Sequence, residues 1–331
     1  MQTRKLGSTG PQVAQLGLGL MGMSDLYGPA DRAESLATIH AALEAGVTLL
    51  DTGDFYGMGH NELLLREALA GGGREQVQIS VKFGALRGPG GSWGGIDNRP
   101  VALRNYLAYS LQRLGVEHID LYRPARLDPN VPIEDTIGAL AELVQAGYIK
   151  HIGLSEVGSA SLRRAHAVHP IADLQIEYSM ISRGIESGIL QTCRELGIGI
   201  TAYGVLSRGL ISGHWHSQRA GEADFRGASP RFQGENLQHN LALVEKVRAI
   251  AAELGVSVAQ LAIAWVAAQG QDIVPLVGAR TPARLEEALA STKLTLSPSD
   301  LARLEQALPA GAAAGERYNA HGAATLDSEK R

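Results

Sequence analysis

The sequence predicts a single (β/α)8 barrel of the α/β class. Short apolar runs rich in Val, Ile and Leu alternate eight times with longer segments of helical periodicity, as parallel strands and crossover helices do. Glycine contributes 40 of 331 residues and charged residues only 19%, which favours tight turns between elements buried on both faces. We expect a barrel domain over residues 1–318 and a flexible tail over residues 319–331.

The eight predicted strands cover residues 14–19, 48–51, 78–82, 118–123, 149–154, 172–176, 199–202 and 273–276. A Gly-Ser-Thr-Gly turn within residues 3–13 predicts a β-hairpin before them, which could cap the barrel floor. Three connections are unusually long: residues 83–98, residues 205–238 and the segment after Leu308. Long loops that follow strands belong to the functional face of a barrel, so we expect the site there.

Composition excludes several classes of protein. The net charge of −4 and the absence of a basic run argue against a nucleic-acid partner. The charged start and short apolar runs predict no signal peptide and no membrane span, hence a cytoplasmic protein. Cys193 is the single cysteine, which excludes an internal disulfide. The pairs His214/His216 and His166/His169 lack a third ligand in the sequence, so we expect no metal.

The run Gly17-Leu-Gly19-Leu-Met-Gly22 matches the G-x-G-x-x-G spacing of dinucleotide-binding proteins. That fingerprint requires the last glycine to open a helix that receives the pyrophosphate. Here Gly28-Pro29 interrupts the chain, and the helix is predicted to begin near Asp31. We therefore interpret the run as a strand that ends in a glycine-rich loop, rather than as a Rossmann site.

Three chemically useful side chains follow adjacent strands. Asp51 and Tyr56 come at and after the end of the second strand, and Lys82 ends the third. Asp51 would hold the Lys82 ammonium, whose charge would lower the pKa of the Tyr56 phenol. Such a phenol can protonate a developing alkoxide. Each residue alone also fits a structural role, as a helix cap, a packed aromatic ring or a solvated lysine.

The run Asp51-Thr-Gly-Asp-Phe-Tyr56-Gly resembles the D-T-A-x-x-Y-G signature of the aldo-keto reductase superfamily, and Lys82 matches its strand-three lysine. The resemblance spans nearly the whole chain and favours the branch that includes potassium-channel β subunits and pyridoxal reductases. Further similar segments are Asp120-Leu-Tyr122, Val131-Pro-Ile-Glu134, Gly147-Tyr-Ile-Lys150, Ile152-Gly-Leu-Ser155, Gln175-Ile-Glu-Tyr-Ser179 and Pro275-Leu-Val-Gly278. It implies the barrel already predicted and NADPH-dependent reduction of a small aldehyde or ketone, with Tyr56 as general acid assisted by Lys82 and Asp51.

The resemblance also implies a cofactor site on the C-terminal barrel face. Ser155 and Gln175 would hydrogen-bond the carboxamide of NADPH, and Tyr203 would stack on the nicotinamide ring. The remaining carried-over positions are Leu20 and Met21 beside the nicotinamide, Leu206, Ser207 and Arg208 around the pyrophosphate, Gly278 and Arg280 near the 2′-phosphate, and Arg284 and Glu287 beside the adenine.

One departure from the family bears on mechanism. The family's catalytic histidine lies in a Q-H-R-x-D run, whereas this chain has Arg123-Pro-Ala125-Arg126-Leu-Asp128. Ala125 removes a hydrogen-bond donor to the substrate carbonyl, so we expect slow turnover of simple aldehydes unless water, the substrate or a nearby guanidinium replaces it. The alternatives are an NADPH-binding redox sensor with weak turnover and an enzyme that oxidises an alcohol. Glu156, Val205 and Ala288 also depart from common family residues.

Overall fold

A computed structural model of the protein describes residues 1–24, 26–215 and 225–330. Eight parallel strands close into a barrel in the order of the chain, so the predicted (β/α)8 fold is confirmed. The barrel strands are β3 (Gly17–Gly19), β4 (Leu49–Gly53), β5 (Gln78–Phe83), β8 (Ile119–Pro124), β9 (Ile149–Ser155), β10 (Ile171–Glu177), β11 (Gly199–Tyr203) and β12 (Ile273–Gly278).

Helices surround the barrel and bury their apolar faces against the strands in one large cluster. They are α1 (Arg32–Glu44), α2 (His60–Leu69), α3 (Pro100–Leu114), α4 (Ile133–Gln145), α5 (Ser159–Val168), α6 (Ile189–Leu196), α7 (Gly234–Glu253), α8 (Val258–Ala268), α9 (Pro282–Ala290), α10 (Pro298–Ala307) and α11 (Ala320–Ala324). Among the described residues no single helix has the length and apolar composition to cross a membrane, although α7 and α8, bent by 90°, pass that test as a pair.

The predicted N-terminal hairpin is present and caps the barrel floor. Strands β1 (Thr3–Lys5) and β2 (Gln12–Ala14) pair antiparallel, and the turn between them lies against the start of β11. The close approach requires glycine at position 7, which has φ +65° and where a Cβ would meet the carbonyl oxygen of Ala172 at 2.5 Å.

The barrel interior changes from apolar to polar along the strands. Near the floor, Leu49, Leu121 and Val274 form a small apolar cluster. Two residues farther along β4 and β8, Asp51 and Arg123 occupy the same face, because side chains of a strand alternate with a period of two. The polar layer therefore lies toward the C-terminal ends of the strands, where the site is predicted.

The long connections lie after β5, after β11 and at the C-terminus. The first contains a hairpin of β6 (Ala85–Arg87) and β7 (Trp93–Ile96). The second is shorter than the predicted 205–238, because α7 already begins at Gly234, and part of it lies outside the described residues. The predicted tail contains α11, its Leu326 is buried, and Asp327 Oδ2 accepts the Gly158 N–H at 2.9 Å. The flexibility of this segment stays a prediction.

Candidate active site

Asp51 and Lys82 meet inside the barrel mouth. They lie on neighbouring strands, and Lys82 Nζ donates to Asp51 Oδ1 in an ion pair whose members are both buried. The other carboxylate oxygen, Oδ2, accepts Ser80 Oγ at 2.7 Å and Gln175 Nε2 at 2.7 Å. Asp51 thus receives three donors from two other strands, which fixes the position of the Lys82 ammonium.

Tyr56 is buried beside this pair, and Lys82 Nζ lies 5.3 Å from its ring centroid. Phe55 packs edge-on against the same ring, with centroids 4.8 Å apart. Burial, followed by the charge of Asp51, raises the pKa of Tyr56 well above its usual value, while Arg126 opposes the shift. The pKa of Tyr56 is therefore raised and not lowered, contrary to the expectation from the sequence, because desolvation is the largest contribution. Tyr56 carries its proton and is a donor.

Lys82 itself is destabilised in its charged form. Burial lowers its pKa, Asp51 raises it, and the charges of Arg123 and Arg126 lower it further. A buried ammonium of lowered pKa releases a proton more readily than a solvated one. Burial therefore makes the Lys82 ammonium less stable than a solvated one, although Asp51 opposes this effect.

A second buried ion pair lies next to the first. Arg123 Nη1 donates to Asp173 Oδ2 at 3.0 Å, and its Nη2 donates to Ser80 Oγ at 2.9 Å, so Ser80 connects the two pairs. Both side chains are fully buried. Gly153 makes room for them, since a Cβ there would lie 2.4 Å from Asp173 Oδ1. The role of Asp173 was missed, although a charged residue within a buried strand is a usable signal.

Three of the predicted nicotinamide residues, Ser155, Gln175 and Tyr203, lie near the ends of the neighbouring strands β9, β10 and β11. Ser155 Oγ is buried and has no hydrogen-bond partner among the described residues, as expected of a group that awaits a ligand. Gln175 donates to Asp51 at 2.7 Å. The Tyr203 hydroxyl donates to Glu156 Oε1 at 2.7 Å and lies 3.0 Å from the Tyr318 hydroxyl. An unpaired Ser155 oxygen beside Gln175 fits a carboxamide.

The segment predicted to hold the pyrophosphate has unusual backbone geometry. Ser207 and Arg208 follow Leu206 and adopt positive φ angles of 47° and 59°. Ser207 Oγ lies 2.9 Å from Ser179 Oγ, and the Arg208 guanidinium lies 4.3 Å from the Tyr318 ring centroid. A turn with left-handed residues and an arginine is the type of loop that accommodates a phosphate.

Arg280 connects the end of β12 with the loop after β3. Its Nη1 donates to the carbonyl oxygens of Tyr27 and Pro29 at 3.0 and 3.1 Å. Gly278 ends β12, and the following helix α9 begins at Pro282. An arginine next to a helix N-terminus is a favourable setting for an anion.

The predicted adenine residues also meet. Arg284 Nη1 lies 3.1 Å from Glu287 Oε2, and His214 Nε2 lies 3.0 Å from the same oxygen. His214 is therefore paired with a carboxylate, a contact that the sequence did not predict. His216 lies outside the described residues, and within the described ranges no cluster of three His, Cys, Asp or Glu side chains could hold a metal.

The glycine-rich run after the first barrel strand does not have Rossmann geometry. Gly22 lies in a single 3₁₀ turn, and α1 begins only at Arg32, capped by Asp31. Leu20 is buried and its carbonyl accepts Asn61 Nδ2 at 2.9 Å, while Met21 packs against the cluster of Phe55, Tyr56 and Ala125. Leu20 and Met21 thus follow the first barrel strand near Tyr56, and their place beside a nicotinamide stays a prediction.

Comparison with known proteins agrees with this geometry. The model of the Aldo/keto reductase family matches residues 15–309. The chain is 41% identical over 319 residues to the soybean (Glycine max) protein described as probable aldo-keto reductase 1, covering 96% of this chain and 92% of that one. The glycerol dehydrogenase AKR11B4 of Gluconobacter oxydans is similar in structure, with 28% identity, a TM-score of 0.85 and coverage of 92% and 94%.

A third comparison supports the fold alone. The holo form of the aldo-keto reductase AKR11C1 of Bacillus halodurans has a TM-score of 0.78 with 24% identity, covering 94% of this chain and 97% of its own. The barrel, the Asp51–Lys82 pair beside Tyr56 and the match across most of the chain define an enzyme of the nicotinamide-dependent oxidoreductases. The chain belongs to the Aldo/keto reductase family, and the predicted family and enzyme class are confirmed.

Proposed function

We propose that the protein reduces an aldehyde or ketone to an alcohol with NADPH, and that Tyr56 is the general acid. The observation that carries the proposal is the protonated, buried phenol of Tyr56 beside the Asp51–Lys82 ion pair at the C-terminal barrel mouth. A weak acid held next to a positive charge can give its proton to the oxygen of a carbonyl as that oxygen becomes an alkoxide.

The chain's own residues divide the work. When bound, the reduced nicotinamide supplies the hydride that reaches the carbonyl carbon. Tyr56 donates its hydroxyl proton to the carbonyl oxygen, and the Lys82 ammonium stabilises the phenolate that this step leaves. Asp51 keeps Lys82 in place through the ion pair, while Ser155 and Gln175 are the groups that would hold the carboxamide.

NADPH is the proposed form of the cofactor, because Arg280 lies at the end of β12 and can supply a charge-assisted hydrogen bond to a 2′-phosphate. Residues 1–318 are proposed to act as one catalytic domain in the cytoplasm on a small carbonyl compound. The family match over residues 15–309 supports this extent of the domain.

One observation favours a second function. Ala125 is buried and packs with Phe55 and Tyr56, so no donor of its own side chain faces the carbonyl position. A protein that binds NADPH but turns over slowly could act as a redox sensor. The two functions separate when NADPH oxidation with a panel of aldehydes is compared with NADPH binding measured by fluorescence. Turnover that depends on Tyr56 supports the reductase, and tight binding without turnover supports the sensor.

A further inference from the structure

Arg126 is a cation at the barrel mouth that forms no ion pair within the described residues, although the charges of Tyr318, Tyr203 and Glu156 act on it. Its Nη1 donates to the carbonyl oxygen of Ala125 at 2.6 Å, which is its one side-chain hydrogen bond within the described residues. No carboxylate oxygen of those residues lies within 4.0 Å of it. The side chain is half-buried, and its Nε and Nη2 atoms donate no hydrogen bond within the described residues. A guanidinium with most of its donors unused is poised for a ligand.

The guanidinium lies next to the proposed proton donor. It folds back over the carbonyl of Ala125, and the Ala125 methyl group packs with Phe55 and Tyr56, with Met21 and Ala85 beside them. These side chains make one part of the surroundings of Tyr56 apolar, and the charged groups beside Tyr56 are Arg126 and the Asp51–Lys82 ion pair. The charge of Arg126 acts on Tyr56 and opposes the rise of its pKa.

The neighbouring acidic groups are already occupied. Glu156 accepts two hydrogen bonds from Arg317, at 2.6 and 2.9 Å. The carboxylate of Glu177 lies 3.4, 3.8 and 3.9 Å from three other cationic side chains. Those side chains belong to Arg317, Arg208 and Arg231. Arginine side chains therefore outnumber carboxylates in this part of the barrel mouth. Arg126 is the arginine among them that forms no ion pair with a carboxylate of the described residues.

Asp128 does not supply the missing charge either, although it follows Arg126 by two residues. Its Oδ2 accepts the backbone N–H of Asn98 at 3.1 Å, and its Oδ1 accepts that of Asn130 at 2.9 Å. The Asn98 side chain in turn donates to the backbone carbonyl of Arg126 at 2.8 Å. The backbone at Arg126 is thus held by the loop, and the side chain remains available.

Arg126 is also remote from the 2′-phosphate expected of the cofactor. It follows β8, the fourth strand of the barrel, whereas Arg280 follows β12, the eighth. Strands four positions apart in a ring of eight lie on opposite sides. An anion bound by Arg126 must therefore come from another molecule than the 2′-phosphate end of the cofactor, and the reacting substrate is the molecule that enters beside Tyr56.

We propose that Arg126 binds an anionic group of the carbonyl substrate, either a carboxylate or a phosphate. The inference rests on the proposed function, because it requires that the carbonyl be reduced next to Tyr56. A partly buried charge is stabilised when a ligand of opposite charge pairs with it, and guanidinium pairs with such oxyanions through two parallel hydrogen bonds. Neutral carbonyl compounds leave Arg126 unpaired, so they are the poorer substrates.

Matched aldehydes test the proposal. We would measure kcat/KM with NADPH for benzaldehyde and for its para-carboxylate, para-phosphate and para-trimethylammonium derivatives, in the wild type, Arg126→Met and Arg126→Lys. We expect the wild type to prefer the carboxylate or the phosphate over benzaldehyde at least ten-fold. Arg126→Met should remove that preference mainly through KM, and Arg126→Lys should keep part of it. Arg104→Met, which removes an exposed guanidinium paired with Glu142, should leave the preference unchanged.

Binding gives an answer that does not depend on turnover. Benzoate, phenyl phosphate and benzamide would be titrated calorimetrically into the protein saturated with NADP⁺. The proposal is supported if Arg126→Met binds benzoate or phenyl phosphate at least ten-fold more weakly than the wild type does, while benzamide binding is unchanged. This conclusion holds even if no aldehyde is reduced. In that case only the proposed reductase function fails. Anion binding that is equal in wild type and variant overturns it. Equal losses of kcat/KM for neutral and anionic aldehydes also overturn it, and would assign Arg126 to the carbonyl oxygen itself.

Discussion

Arg317 forms a bidentate ion pair with Glu156, with nitrogen–oxygen distances of 2.6 and 2.9 Å, and so attaches the C-terminal segment to the end of β9. Glu156 is buried and adopts a left-handed backbone with φ +54°. Its carboxylate also accepts Ser328 Oγ at 2.6 Å and the Tyr203 hydroxyl at 2.7 Å. The departure from the family's asparagine at this position therefore has a structural partner 161 residues away.

We expect Glu156→Gln to destabilise the protein. Burial raises the pKa of Glu156, but the hydrogen bond and charge of Arg317 outweigh burial and lower it to about 2. Because this pKa is lowered on folding, the ionised Glu156 stabilises the folded protein above its unfolded pKa of 4.5. This stabilisation is lost as the pH falls toward 2. Removing one partner of a buried pair costs about 3–5 kcal/mol.

Thermal melts between pH 3 and pH 8 check this expectation. The variant should have a lower Tm at pH 7 and a weaker dependence of Tm on pH below 4.5. Glu134→Gln is the matched control, because Glu134 also forms two hydrogen bonds with one arginine, Arg164, but on the surface. Similar losses in both variants would show that burial of Glu156 is unimportant.

Tyr56→Phe should abolish most carbonyl reduction and preserve cofactor binding. Only the transition state requires the proton, and general acid catalysis contributes about 10²–10⁴-fold. Steady-state NADPH oxidation and fluorescence titration of NADPH measure the two properties separately. Unchanged kcat, or a parallel loss of cofactor affinity, would contradict the role of Tyr56.

Arg280→Glu should weaken NADPH binding far more than NADH binding. A charge-assisted hydrogen bond to the 2′-phosphate is worth about 1.5–3 kcal/mol, or roughly ten- to hundred-fold in affinity. The variant also loses the contacts with Tyr27 and Pro29, which should affect both cofactors alike. The measurement is the dissociation constants of NADPH and NADH in the wild type and the variant. Equal losses of affinity for the two cofactors would refute the proposed contact between Arg280 and the 2′-phosphate.

Periodicity predicted the barrel strands to within a few residues, because buried strands and amphipathic helices differ in period. It also predicted that Asp51 and Lys82 meet, since the ends of adjacent parallel strands share one barrel face. The sequence did not show which of Arg123 and Arg126 points toward the carbonyl position. Their side-chain directions depend on the end of β8, where Arg123 turns inward to Asp173 and Arg126 turns back over Ala125.

Other features depend on packing that no local pattern contains. The pairing of Glu156 with Arg317 joins distant parts of the chain, and nothing near either residue indicates the other. The high pKa of Tyr56 follows from its burial in the folded protein, which the sequence alone does not show. The motif thus indicates candidate residues of the site, but the tertiary structure determines their protonation.

Asp54→Asn should increase stability at alkaline pH. Burial and the nearby Glu62 raise the pKa of Asp54 to about 8. Because this pKa is raised on folding, the contribution of Asp54 to the free energy of unfolding is fully present below its unfolded pKa of 3.8. That contribution is lost as the pH rises through about 8. The amide cannot ionise, so Tm of the variant should exceed that of the wild type at pH 9 and converge with it near pH 4.

Asp97→Asn is the control, because folding lowers the pKa of Asp97 whereas it raises the pKa of Asp54. The hydrogen bond from Arg99 lowers the pKa of Asp97, so its contribution is present above pH 3.8 and is lost on acidification. That variant should be no more stable than the wild type at pH 9. If Asp54→Asn behaves in the same way, the Asp54 carboxyl is solvated and ionised like an ordinary surface acid.

Ala125→His tests whether the missing imidazole limits catalysis. Removing one hydrogen-bond donor from an oxyanion typically costs about 10²–10³-fold in kcat, so restoring one should accelerate reduction of a small activated aldehyde at least several-fold. Ala125 is only 3% exposed and touches Phe55 and Tyr56, so a larger side chain must displace a neighbour. Ala125→Phe is therefore the matched control, because it adds comparable bulk without a donor. We expect kcat in the order His above Ala above Phe, with NADPH affinity unchanged in all three. A histidine variant that folds and binds NADPH but is no faster than the wild type would show that the alanine accommodates a bulkier substrate.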